Sequence, residues 1–208
     1  MDTTTTQARI TTGSYRYDHP GIPDQFTVNQ AQELAQGLNS SGVTREIRID
    51  APGEKVWAVF VDIGSVQDYS PGVVKSYYTS DIKAGIGASR HCDLFPKGTV
   101  EERIVSWRDR EHYAIEIYDW TEVPYIGVAH FTLKRDGGGT MVSQTMDYRA
   151  ANHPTGAVES RALEELVARV IAGNLLGLKH FTETGEVVTR EVYKRIKKST
   201  GVKHEWLK

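Results

Sequence analysis

The sequence predicts an α+β fold in which a curved seven-stranded antiparallel sheet wraps around a long C-terminal helix. One strand is expected early, at residues 44–49, and a run of short β-rich segments joined by tight turns follows over residues 73–149. The apolar residues then recur at helical spacing from about Val158 to Thr182. A sheet with one apolar face needs a cover, and this helix has the stripe to supply it.

The first element is expected at Thr44–Ile49, where charged and apolar residues alternate with a period of two. Asp50 and Pro52 then form a helix-start signal, and the amphipathic segment GEKVWAVFVDI follows it. Six more strands are expected in VVKSYYTS, GASRHCDL, TVEERIVSW, HYAIEIYDW, YIGVAHFTLK and MVSQTMDYR. The turns between them, such as PKG and RDGGG, are typical of an antiparallel meander.

Gly185 is expected to end the long helix, and a last helix is expected in EVVTREVYKRIKK. The chain therefore divides into three predicted parts. These are an N-terminal extension at 1–43, a domain at 44–184 and a C-terminal helical extension at 185–208.

Composition narrows the class of protein. The 208 residues carry a net charge of −2, without the concentrated basic excess that nucleic-acid binding needs. The single cysteine, Cys92, cannot form an intrachain disulfide, and the chain shows neither a signal-peptide core nor an apolar run that could span a bilayer. We expect a cytoplasmic protein with no nucleic-acid partner and no membrane span. The oligomeric state is not indicated.

No motif indicates a metal or a cofactor. The segment RHCD places three potential ligands in a row, but adjacent strand residues point to opposite faces of a sheet. The segment GIGASR lacks the full dinucleotide-binding glycine spacing and leads into a strand. We therefore expect neither a metal site nor a cofactor.

Strand alternation assigns the side chains to two faces. Polar residues such as Glu116 and Asp147 mark the outward face. The residues predicted to point inward include Tyr113, Ile115, Tyr125, Gln144, Met146 and Tyr148. Gln144 thus brings an amide inside. Most inward tyrosines are packing groups, and spacing does not choose which hydroxyl could polarise a substrate carbonyl.

Two charges are also predicted to point inward. Arg90 shares a strand face with Cys92, and Glu102 shares one with Val100. A three-residue turn at 95–97 would place Arg90 opposite Glu102, whereas a two-residue turn would break this register. Two roles stay open: a buried structural pair, or a site where the guanidinium holds a carboxylate, enolate or carbonyl oxygen. A guanidinium nearby would make Glu102 a weaker base.

The long helix carries one amide on its apolar stripe. Asn174 lies in line with Val170 and Leu178, and Gly173 and Gly177 leave room beside it. A buried amide must find partners or cost about 1–3 kcal/mol. Asn174 and Gln144 are therefore either ligand-orienting groups or members of a satisfied core network.

The sequence resembles the START-like (SRPBCC) superfamily, which has the helix-grip fold and includes polyketide cyclase/dehydrases, pollen allergens and abscisic-acid receptors. The matching phrases are IRIDAPGEKVWAVFVDI, YSPGVVKS, GIGASRHC, VEERIVSW and LEELVARVIAGNLLGLKHF, within residues 44–184. The resemblance implies a hydrophobic ligand cavity between sheet and long helix. It also implies pocket roles for Arg90, Glu102 and Asn174, which match receptor pocket positions. Pro71 stands where those receptors have their anchoring lysine.

The expected function is the binding of a hydrophobic small molecule. In the leading enzymatic version, a cofactor-independent polyketide cyclase/dehydratase-like reaction, Arg90 or Tyr125 stabilises an enolate and Glu102 moves protons. A non-catalytic lipid or metabolite carrier is one alternative. Another alternative is a ligand-gated interaction module, which is less favoured because Pro71 replaces the anchoring lysine of the receptors. The predicted ligand contacts are Tyr113, Ile115, Gln144, Met146, Tyr148, Val170, Asn174 and Leu178.

Overall fold

A computed structural model of the protein describes residues 42–121, 125–150 and 161–200, without the side chains at 125–126, 149–150 and 161–162. The strands are β1 (Val43–Ile49), β2 (Val73–Tyr78), β3 (Ser89–Leu94), β4 (Thr99–Arg108), β5 (His112–Tyr118), β6 (Tyr125–Asp136) and β7 (Gly139–Ala150). The helices are α1 (Gly53–Val61), a 3₁₀ helix (Ile63–Asp68), α2 (Arg161–Thr184) and α3 (Arg190–Thr200).

The seven strands form one antiparallel sheet in the order β1-β7-β6-β5-β4-β3-β2. The chain meanders from β2 to β7, and β1 pairs with β7. The two strands that come first in the chain therefore lie at opposite edges of the sheet, and α1 with the 3₁₀ helix connects them. The predicted seven-stranded α+β architecture is confirmed.

The long helix α2 covers the inner face of the sheet and packs mainly against β1 and β7. Most of its apolar stripe is buried in the same core as the inner strand residues, with Ile171 and Leu178 almost fully enclosed and Val170 exposed. Gly185, at φ +76°, ends the helix as expected, and its N–H donates to the Phe181 carbonyl at 2.8 Å. Among the described helices, none is both long and apolar enough to cross a bilayer.

The last helix, α3, is docked on the domain. The Thr189 hydroxyl accepts a hydrogen bond from the Val192 N–H at 3.2 Å, which is the geometry of an N-terminal cap. Val192 and Ile196 then pack with Leu176 of α2 in a small apolar cluster. The link between α2 and α3 is also held in place, because the Val188 N–H donates to the Asp68 carbonyl at 2.8 Å.

Polar side chains on the outer face of the sheet are more buried than strand alternation alone suggests. Glu116 and Asp147 do point away from α2, yet they are only 1% and 2% exposed. Arg103 Nη2 lies 2.6 Å from Glu116 Oε2, and His130 Nε2 lies 3.1 Å from Asp147 Oδ2. Alternation assigns a side chain to a face, but it does not say whether water reaches that face.

We predict that Gly177→Ala destabilises the fold, because a Cβ at this position of α2 would lie 1.9 Å from the Tyr69 carbonyl oxygen. Alanine gains about 1 kcal/mol of helix propensity over glycine. Forcing backbone apart typically costs about 1–3 kcal/mol, and here it outweighs that gain. Urea unfolding should show a lower free energy of unfolding. The control is Gly138→Ala, where the added Cβ meets nothing within 4 Å. Unchanged or increased stability of Gly177→Ala would contradict the prediction.

Candidate functional site

A cavity of about 600 Å³ lies between α2 and the inner face of the sheet. Because α2 packs mainly on β1 and β7, space is left above the strands beyond them. This volume is within the range of about 300–1,000 Å³ typical of small-molecule sites. The walls are mostly apolar and include Phe60, Val66, Val100, Ile115, Ile117, Ala129, Phe131, Leu175 and Leu178.

Most of the site residues predicted from sequence line this cavity. They are Arg90, Glu102, Ile115, Gln144, Met146, Val170, Asn174 and Leu178. Each strand residue among them lies on the face that alternation assigns to the interior. The helix residues come from one stripe of α2.

Of the three tyrosines predicted for the site, the two whose side chains the structure describes are not among these lining residues. Tyr113 is buried on the inner face, but it stacks on Phe131 at 4.7 Å and meets Phe60 at 5.8 Å between ring centroids. It therefore belongs to an aromatic core beneath α1 and is not among the described lining residues. Tyr148 packs against the core and does not line the cavity either. The side chain of Tyr125 lies outside the described residues.

Arg90 and Glu102 form a buried ion pair inside the cavity. The two residues are directly opposite each other on β3 and β4. The Leu94 N–H donates to the Gly98 carbonyl at 2.8 Å, which closes the three-residue turn at 95–97. Arg90 Nε donates to Glu102 Oε2, and Arg90 Nη1 donates to the Ile63 carbonyl at 2.6 Å. The predicted inward orientation and register are confirmed.

The site combines the charged Arg90–Glu102 pair with a neutral hydroxyl and a neutral thiol. Burial by itself would lower the pKa of Arg90, but the Glu102 carboxylate raises it and keeps the cation. Burial raises the pKa of Tyr69 to about 12 and that of Cys92 to about 12. The Tyr69 hydroxyl is therefore a neutral hydrogen-bond donor at neutral pH. The Cys92 thiol is equally neutral, so it is unsuited to act as a thiolate nucleophile.

The two amides have different surroundings. Asn174 Oδ1 accepts a hydrogen bond from the Ser70 hydroxyl at 2.7 Å, which ties α2 to the segment after the 3₁₀ helix. Gln144 is 1% exposed, and its Oε1 has no hydrogen-bond partner among the residues that the structure describes. An unpaired buried acceptor costs about 1–3 kcal/mol. Gln144 is therefore the polar group that a bound molecule with a donor could satisfy.

Sequence reasoning missed several lining residues. Tyr69 and Ser70 lie in the segment YSPGVVKS, where only Pro71 was weighed. Other missed residues are on α3, namely Arg190, Tyr193, Lys194 and Lys197. Their spacing places them on one face of a helix, which was visible in the sequence. The sequence does not indicate that this face of α3 turns toward the cavity.

We predict that Arg90→Met lowers the free energy of unfolding by about 3–5 kcal/mol, because it leaves the Glu102 carboxylate buried without its partner. The double variant Arg90→Met/Glu102→Met removes both charges and should recover most of that loss. Urea unfolding of the wild type and of both variants measures the difference. Equal destabilisation by the single and double variants would show that the unpaired Glu102 carboxylate is not the cause of the loss.

Comparisons with known proteins agree with this geometry. The sequence profile of the family described as polyketide cyclase / dehydrase and lipid transport matches residues 41–181. No match was found among curated protein sequences.

Three solved structures show the same fold. The Zhui aromatase/cyclase from Streptomyces sp. R1128 is 17% identical with a TM-score of 0.56, and the alignment covers 68% of this chain and 93% of that one. A START superfamily protein from Mycobacterium smegmatis is 11% identical with a TM-score of 0.58, covering 68% and 97%. The protein XoxI from Bacillus cereus is 18% identical with a TM-score of 0.57, covering 69% and 96%.

The sheet that curls around α2 is therefore the helix-grip fold that these solved structures share. The family match spans the whole sheet and nearly all of α2. Because it covers well over half of the sequence, the chain belongs to the polyketide cyclase / dehydrase and lipid transport family.

Proposed function

We propose that the protein binds a hydrophobic small molecule in the cavity between the sheet and α2. The observation that carries this proposal is an apolar-walled space of about 600 Å³ that contains a buried amide oxygen, Gln144 Oε1, without a partner among the described residues. Apolar walls with a few placed polar groups are the usual composition of a ligand site. The family description, which includes lipid transport, points the same way.

The polar groups would set the orientation of the ligand. A ligand hydroxyl or N–H could donate to Gln144 Oε1. Asn174 is already held by Ser70, so its amide is fixed in position before a ligand arrives. The Arg90–Glu102 pair offers a charged surface at a third point of the same cavity. Three polar points within apolar walls favour one orientation of a bound molecule over others.

Binding can be tested with Ala129→Phe, which places a ring in the cavity from β6. Ala129 is buried and lies between Ile115 and Met146, which both line the cavity. We expect the displacement of a neutral dye, Nile red, by dodecan-1-ol to weaken by about tenfold or more, because the ring occupies ligand space. The control is Lys134→Phe, an exposed position on the same strand. Native mass spectrometry of the purified protein would identify a retained ligand. An equal effect of the two variants would place binding elsewhere.

A second candidate function is cofactor-independent cyclisation of a poly-carbonyl chain. It is favoured by the Arg90–Glu102 pair, which lines the apolar cavity instead of being sealed in the core. Glu102 would take a proton from the carbon between two carbonyls, and Arg90 would stabilise the enolate oxygen. The enolate carbon would attack a second carbonyl of the folded chain, and Glu102 would return the proton to the new alkoxide. Tyr125 stays an alternative to Arg90 for stabilising the enolate oxygen.

The catalytic candidate predicts that Glu102→Gln lowers turnover of a poly-β-carbonyl thioester by about 100-fold or more, which is typical of a lost general base. Dodecan-1-ol binding should stay within about threefold, since glutamine has nearly the same shape. The matched control is Glu101→Gln, the neighbouring residue on the opposite face of β4. Product formation is followed by chromatography. Turnover that is unchanged in Glu102→Gln would remove the proton-transfer role and favour the carrier.

A further inference from the structure

The part of the cavity lining that is open to solvent is strongly cationic. In the described residues, six cationic side chains and one carboxylate line the cavity. Arg90 and Glu102 are the buried pair. The other five, Lys97, Arg169, Arg190, Lys194 and Lys197, are exposed or half-buried, and we call them the cationic rim.

The rim residues come from three separate elements. Lys97 lies in the β3–β4 turn, Arg169 lies on α2, and the remaining three lie on α3. Within the described chain, no ion pair involves Arg169 or the three α3 cations. Such a concentration of one sign does not follow from composition, because the chain as a whole has a net charge of −2. Like charges that converge on one opening repel each other, and a bound anion relieves that repulsion.

The packing of α3 directs its cations toward the cavity. Val192 and Ile196 are buried against α2, which fixes the rotation of the helix. Arg190, Lys194 and Lys197 are then placed on the side that lines the cavity. The rotation is also held on the cavity side, because the Tyr193 hydroxyl lies against Gly173 of α2.

Arg190 is further held in place, with its guanidinium carbon 3.4 Å from the centroid of the Phe95 ring. This contact joins α3 to the β3–β4 turn across the opening. The helix α3 follows residue 181, where the family match ends. The charge of the rim is thus supplied largely by an element outside the matched segment.

We propose that the ligand is an amphipathic anion, with its apolar body in the cavity and its carboxylate, sulfate or phosphate group held by the cationic rim. This inference rests on the proposed binding function and adds the charge class of the ligand. A cluster of cations from three elements around one opening suits a single compact end group that several of them can reach. Exposed apolar side chains beside the rim, Phe95 and Val170, would contact the part of the ligand next to that group.

The test compares dodecanoate with dodecan-1-ol, which share the alkyl chain and differ in charge. Displacement of Nile red at low ionic strength gives both affinities. We expect dodecanoate to bind about tenfold more tightly than dodecan-1-ol. Added salt should narrow this preference, because the rim charges are solvent-accessible.

Two variants on α3 test whether the charge of the cationic rim contributes to dodecanoate binding. Lys194→Glu reverses a charge that lines the cavity. Lys198→Glu makes the same change four residues further along the same helix, at an exposed position that does not line it. Lys194→Glu should weaken dodecanoate binding by about fivefold more than it weakens dodecan-1-ol binding. Lys198→Glu should alter neither. Circular dichroism checks that both variants keep their helices.

The outcomes separate the two proposals. The anionic ligand is ruled out, and the binding function stands, if the protein binds dodecan-1-ol as tightly as dodecanoate. The same holds if Lys194→Glu and Lys198→Glu change dodecanoate binding equally. If neither compound binds, the proposed binding function fails and this inference fails with it. A third arm uses phosphatidylglycerol vesicles. Rim-dependent binding to vesicles without any preference for dodecanoate would assign the cations to a membrane surface and overturn the inference.

Discussion

Arg90 and Glu102 face each other inside the protein only because β3 and β4 pair without a slip. Side chains alternate along a strand, so a shift of one residue would move either charge to the other face of the sheet. The turn at 95–97, closed by the Leu94–Gly98 hydrogen bond, holds that register. Arg90 also donates to the Ile63 carbonyl, so the same guanidinium ties both strands to the 3₁₀ helix, which packs against β2 and β3.

The cavity exists because the long helix contacts only part of the sheet. α2 packs mainly on β1 and β7, while part of the inner face of β3 to β7 lines the cavity. At the other side, α2 is held close to the segment after the 3₁₀ helix. Gly177 lies against the Tyr69 carbonyl, and the Asn174 amide accepts a hydrogen bond from Ser70. The helix is therefore fixed at its flanks without filling the centre.

Local patterns in the sequence were sufficient to predict the strands and most of the side chains that point toward the interior. The period of two in β3 and β4, together with the family resemblance, placed Arg90 and Glu102 correctly, and the helical stripe placed Asn174 correctly. Tyr113 shows the limit of that reasoning, because the aromatic side chains of α1 decide that it packs in the core. Glu116 shows a second limit, since its burial depends on what covers the outer face. Both depend on contacts between elements far apart in sequence, which periodicity does not contain.

The position of α3 has an evolutionary consequence. Its inner side is fixed by a few apolar contacts, and its cavity-facing side consists, apart from Tyr193, of exposed or half-buried lysines and an arginine. Such lysines can be substituted without repacking the sheet or α2. Substitutions on this one helix could thus change the charge at the cavity opening in the course of evolution, while the sheet and α2 stay the same.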